Sequence, residues 1–150
     1  MSDAAMAMTA PTAPHPEVVP IRSGRFAPPR SAVRAVWCEE RAAARRARRA
    51  GNDAAEWSHL QRAHILSQPN AGLHLRTHVA MLGFGIRHRD RREIVGQLLR
   101  LVVAAPGSLT GRYPVGNTGG ADVNALTPMP IPDDLVAVLS NEVRRSEEQS

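Results

Sequence analysis

Four histidines, His59, His64, His74 and His78, fall within one twenty-residue stretch. His74 and His78 are four residues apart, so on a helix they share one face, one turn apart. Two imidazoles at that spacing can chelate a metal ion. Pro69-Asn70 lies between His64 and His74. If the chain doubles back there, His64 comes beside His74, five residues either side of the turn, with His78 one turn further. Three imidazoles could thus converge near one point, where they could hold a divalent transition metal such as zinc. His59 is five residues from His64 and a turn deeper, which gives it a supporting place. Glu56 and His59 form an isolated Glu-x-x-His pair. Di-metal sites in helical bundles need such a pair from each of two helices, and only one is present. The plainer reading, which the spacing alone favours, is that these histidines pack half-buried and bond to backbone carbonyls of the Gly-rich segment further along.

Other chemistry finds little support. Gly116-Asn117-Thr118-Gly119-Gly120 resembles a phosphate loop only in its glycines. No Lys-Ser/Thr follows it, and all 19 basic residues are arginine, so a turn is the expectation. Arg34, Arg41, Arg45 and Arg48 form one basic stripe, and Arg87, Arg89, Arg91 and Arg92 form a cluster. Both read as solvated helix faces, because only 3% of the chain is aromatic and no stacking platform for bases accompanies them. A nucleic-acid partner is not expected. The net charge of +5 permits an acidic partner without requiring one. Cys38, the single cysteine, excludes an intramolecular disulfide and fits a reducing compartment. A packed thiol is expected there, since nothing beside it would activate a nucleophile. No serine sits in a nucleophile-elbow sequence. With no secretory signal and no apolar run near the roughly 20 residues a membrane span needs, a cytoplasmic protein is expected.

The elements that must position the histidines read as helices. A chain of 150 residues, 43% of them hydrophobic, suits one domain with an aliphatic, alanine-rich core. Residues 1–28, interrupted by five prolines, are read as a disordered leader, 29–140 as a single helical domain, and 141–150 as a disordered charged tail. A first helix is predicted over 31–50, with Ser31 as N-cap and Val33, Trp37, Ala44 and Ala47 facing inward. A second, capped by Asp53, covers 54–67 with Trp57, Leu60 and His64 inward. A third covers 71–87 with an apolar stripe of Leu75, Val79, Leu82 and Ile86. A fourth, capped by Asp90, covers 91–105, and Pro106-Gly107 ends it. Asp53-Ala-Ala-Glu56-Trp57 and Asp90-Arg-Arg-Glu93-Ile94 correspond at an offset of 37 residues, which suggests two tetratricopeptide-like hairpins. Residues 106–132 are read as an extended Gly/Pro-rich arm anchored by Tyr113, Val115, Val123, Leu126, Met129 and Ile131. A short final helix, capped by Asp133 or Asp134, runs through Leu139. The fold class is all-α: two stacked antiparallel hairpins, an arm and a short terminal helix.

Three stretches together resemble an uncharacterised bacterial family, domain of unknown function 3703. They are the run from Trp57 to Gln68, which holds His59-Leu-Gln-Arg-Ala-His64; the run from His74 to Leu82 with Arg89-Asp90-Arg-Arg-Glu93 and Gly96-Gln97 after it; and Pro114-Val-Gly-Asn-Thr-Gly-Gly120 continuing to Pro128-Met-Pro-Ile-Pro132. The resemblance spans about 33–139. It implies no particular reaction. Genes of such proteins often neighbour metal-resistance genes, which favours the metal reading. The family pattern has glutamate where this chain has Gln61. The leading expectation is a non-enzymatic accessory or interaction protein that offers a protein or peptide partner the groove between its hairpins. The alternative is a metal-binding protein using His64, His74 and His78, with His59 in support. An enzyme comes last, for want of a nucleophile, a cofactor loop or a carboxylate pair.

Overall fold

The structure, a computed structural model, describes residues 31–110 and 114–147. The leader, Tyr113 and the last three residues lie outside them. Five helices follow in order: α1 (Ser31–Arg49), α2 (Asp53–Ser67), α3 (Ala71–His88), α4 (Arg91–Thr110) and α5 (Asp133–Glu147). The architecture is all-helical. α1 packs on α2 and α3 on α4 as two hairpins, joined by the tight α2–α3 turn at Pro69, while α5 rests on α1 and α2. Among the described residues no helix is long and apolar enough to cross a membrane.

Local chemistry explains the breaks. Gly51 takes a left-handed φ of 68° after α1, a conformation that only glycine adopts without strain. The cap of α2 is Asn52, not Asp53: its side chain accepts from the Ala55 amide, and Asp53 becomes the first helical residue. Both residue types can cap, and the glycine turn delivers the one before. Asn70 caps α3 by accepting from Leu73 N. Asp90 caps α4 as expected, accepting from Glu93 N at 3.0 Å. α4 continues past Ala105 through Pro106 to Thr110. Proline forfeits one backbone bond, and a helix already formed over 91–105 carries on through it. The arm described in the structure is correspondingly shorter, 114–132. α5 is also longer than expected, 15 residues to Glu147, so most of the segment read as a tail is helical.

The core has two parts. Val33, Ile65, Leu66, Leu135 and Leu139 join α1, α2 and α5, with Trp37 and Ile131 against them. Ala44, Leu60 and Met81 join α1, α2 and α3, flanked by Trp57 and Phe84. Burying each leucine contributes ~2 kcal/mol by the area rule. The predicted inner faces of α1 and α2 are the buried ones. That of α3 is reversed. Leu75, Val79 and Ile86 are 41%, 55% and 57% exposed, and the buried face is Leu73, His74, Thr77, His78, Met81 and Gly85. Polar partners from other elements make this possible, among them Trp37, whose Nε1 donates to Thr77 Oγ1 at 3.0 Å. In the arm, Leu126 is 82% exposed and anchors nothing, whereas Asn117 is buried.

Candidate metal centre

The hairpin turn at Pro69 sets the end of α2 beside the start of α3, and α3 then presents His74 and His78 one turn apart on its buried face. The three rings converge through Nε2. His74 Nε2 lies 2.8 Å from His64 Nε2 and 3.1 Å from His78 Nε2, and the third separation is 3.3 Å. His64, His74 and His78 are 3%, 7% and 2% exposed.

The far sides of the rings fix which nitrogen carries the proton. His64 Nδ1 lies 2.8 Å from the backbone carbonyl of Asn117. A carbonyl only accepts, so Nδ1 is the donor and Nε2 carries a lone pair. His78 Nδ1 lies 2.7 Å from Gln97 Oε1. The Gln97 amide nitrogen donates to Gly119 O at 2.7 Å and to Glu93 Oε1 at 2.6 Å, so its oxygen faces the ring. His78 therefore also donates from Nδ1 and presents its Nε2 lone pair. Metal-bound histidines are typically held in this way, with the remote N–H on a carbonyl, amide or carboxylate.

Electrostatics keep the rings neutral. Burial pushes His64 well below the ordinary imidazole value, aided by His74 and His78, with only the Asn117 bond opposing. Burial lowers His74 to about 3, and the neighbouring His78 adds to it. Burial lowers His78 to about 4 against the raising effect of its Gln97 bond, and the Arg100 guanidinium lowers it further. Neutral imidazole is the form that ligates a metal.

The arm forms the outer wall. Gln68 clamps its start, donating to Pro114 O and accepting from Gly116 N. Asn117 folds it back, donating to the carbonyls of Asn124 and Thr127 and accepting from Gly119 N. Gly119 has φ 80°, and a Cβ there would lie 2.6 Å from the His64 ring. The segment read as a turn is thus a glycine lid pressed on an imidazole. Arg100 secures its far side through the carbonyls of Gly120 and Val123, both at 2.8 Å.

His59 does not join. Its Nδ1 pairs with Glu40 Oε2 at 2.6 Å, while Arg62 Nε reaches the other Glu40 oxygen and Arg62 also pairs with Asp134. This chain of charges ties α1, α2 and α5 together and holds the Asp134 carboxyl below its ordinary range. Cys38 is exposed, not packed, at the rim of a shallow cleft with Trp37, Arg41 and Val79. Its angular step on α1 carries it past the buried face. Spacing gave no sign of Glu93, Gln97 and Asn117, the residues that support the rings. Gln97 lies one turn after Glu93, and that separation is the one local hint.

The set of three imidazoles could hold a metal ion. Tetrahedral zinc with Zn–N near 2.0–2.1 Å spaces its nitrogens about 3.3 Å apart; one separation here equals that value, and the other two, 3.1 and 2.8 Å, would have to open by up to about half an ångström.

Searches of the curated proteins and of the solved structures return no match. A family model, described as "Protein of unknown function (DUF3703)", matches residues 31–139, and the chain belongs to that family.

Proposed function

We propose that this protein binds one divalent transition-metal ion, zinc being the best fit, through Nε2 of His64, His74 and His78. The observation that carries the proposal is the pair of tautomers fixed from outside. His64 and His78 both aim lone pairs inward, and a single proton on His74 Nε2 can satisfy only one of them. A cation at the point where all three converge satisfies every lone pair at once, and a buried acceptor without a partner is costly. The rings lie beneath a lid that Asn117 and Gly119 close, which suits a held ion more than a turnover site.

Elemental analysis of the untagged chain tests this. The expected result is close to one equivalent of zinc or a related ion per chain. His74→Ala and His78→Ala together should abolish binding, and cobalt(II) should give the visible bands of a tetrahedral nitrogen site. A thermal melt that zinc, cobalt, nickel and copper all leave unmoved would sink the proposal.

A second reading, an accessory protein with a protein or peptide partner, draws on the apolar side chains that α3 and α4 expose, among them Val79, Ile86, Val95, Leu99 and Val102. The two readings are compatible, since the three imidazoles are buried and these side chains are exposed. Replacing Val95 and Leu99 by glutamate should then remove partner capture and leave zinc content unchanged.

A further inference from the structure

Among the described residues, Glu56 is the one buried carboxylate whose second oxygen is left over. It is 5% exposed; Oε1 receives Arg87 Nη2, and Oε2 is buried with no hydrogen-bond partner. Around it stand two further metal-competent side chains. Asp53 opens α2 one turn earlier, and His88 closes α3. A ligand atom from each of Asp53, Glu56 and His88 lies within 4.8 Å of the other two, and His88 Nε2 is 3.7 Å from Asp53 Oδ1. The His88 ring is braced against Phe84 at a centroid distance of 4.2 Å. Beyond the cluster, Asp53 shares a cleft of about 360 Å³ with Asp90 and Asp122, with Arg92 as the basic group on its wall.

We infer that Asp53, Glu56 and His88 form a second divalent-cation site, separate from the three imidazoles. Two carboxylate oxygens and one imidazole nitrogen suit a harder first-row ion than three imidazoles do, with manganese(II) as the representative case. Glu56 is the anchoring ligand, because Arg87 fixes its orientation through one oxygen and leaves the other for the cation. Asp53 and His88, both partly open to solvent, close the site from the rim. Arg87 and the positive end of the α2 dipole oppose a cation, so this site is the weaker of the two. It does not depend on the three-histidine reading, since the two clusters share no ligand.

Manganese(II) titration of the full chain, followed by loss of the free-ion EPR signal, tests the inference. The titration is run on both zinc-free and zinc-loaded protein. One bound manganese per chain is expected in both cases. Glu56→Gln should abolish it. Asp53→Asn and His88→Gln, at solvent-facing positions where folding is not at stake, should each weaken it by roughly tenfold or more. His74→Ala should leave it unchanged. Absence of binding below about 1 mM, or unaltered binding in both Asp53→Asn and His88→Gln, overturns the site. Manganese binding in a protein that takes up no zinc would remove the three-histidine proposal and leave this one standing.

Discussion

Glu56 and Glu93 each stand three residues after an aspartate at the start of the second helix of a hairpin, and both are buried, although Asp90 caps α4 whereas Asp53 is already the first helical residue of α2. Glu93 has both oxygens satisfied: Oε1 takes the Gln97 amide at 2.6 Å and Oε2 takes the Ala121 backbone N–H at 2.9 Å. Glu56 has Arg87 on one oxygen and no donor on the other. The difference lies outside the repeated motif. The arm lies across the second hairpin and brings a backbone amide to Glu93, which in turn orients Gln97 and, through it, His78. No arm donor reaches Glu56 Oε2 among the described residues. The same short motif is therefore a structural support in one hairpin and an open ligand in the other.

Removing the two carboxylates should therefore have very different consequences. Glu93→Ala would strand the Ala121 amide and one side of the Gln97 amide in a dry interior. A loss of about 3 kcal/mol is expected, together with weaker zinc binding, because His78 would lose its oriented partner. Urea denaturation with and without chelator measures both effects. A loss under 1 kcal/mol would mean that the arm does not depend on the carboxylate, and the contrast would collapse. Gly119→Ala strikes the same region from the lid. Its Cβ would overlap the His64 ring at 2.6 Å, and its φ of 80° disfavours any side chain. Overpacking and backbone strain together suggest about 2 kcal/mol, with zinc affinity falling as the ring moves. An alanine variant with native zinc affinity would show that the lid is dispensable.

Acid sharpens the contrast without a mutation. His74 sits at about 3 and His78 at about 4, chiefly through burial, and His64 is also held well below 6.5. In the unfolded chain each takes up its proton near 6.5. Between those limits the unfolded state binds more protons, so stability falls as the pH drops. Metal-free protein should be fully stable above about pH 6.5 and lose stability progressively toward pH 4. Zinc-loaded protein should resist until protons displace the ion. Urea midpoints at pH 7 and 5, with and without chelator, test this; a metal-free midpoint that does not move between them would contradict the buried neutral rings.

The centre was partly legible in the sequence, because its first requirement is local. His64, Pro69, His74 and His78 lie within fifteen residues, and a helical turn with a hairpin suffices to bring the rings together. The helix breaks were equally local, at Gly51-Asn52, Pro69-Asn70 and Asp90. The outward face of α3 was not legible. An apolar stripe of Leu75, Val79 and Ile86 reads as core unless the polar stripe beside it is known to have partners, and those come from far along the chain: Asn117 O for His64, Gln97 for His78, Trp37 for Thr77. His59 misled for the same reason, since Glu40, nineteen residues earlier, claims it. The repeat marked Glu56 and Glu93 as equivalent, and the cap before each helix and the placement of the arm distinguish them.

The smallest expected effect is the one that isolates Glu56. In metal-free protein, Glu56→Gln exchanges a carboxylate with one idle oxygen for an amide that can still accept from Arg87. The charge attraction to Arg87 is lost, and so is the cost of holding a charged oxygen unpaired in the interior. These terms oppose each other, so the net change should stay within about 0.5 kcal/mol. With manganese(II) present the balance tips one way only: the native chain gains stability in proportion to the logarithm of ion concentration over its dissociation constant, and the glutamine variant gains nothing. A variant that is much less stable without metal would mean that Glu56, like Glu93, is fully engaged by the fold. The two hairpins would then be alike after all.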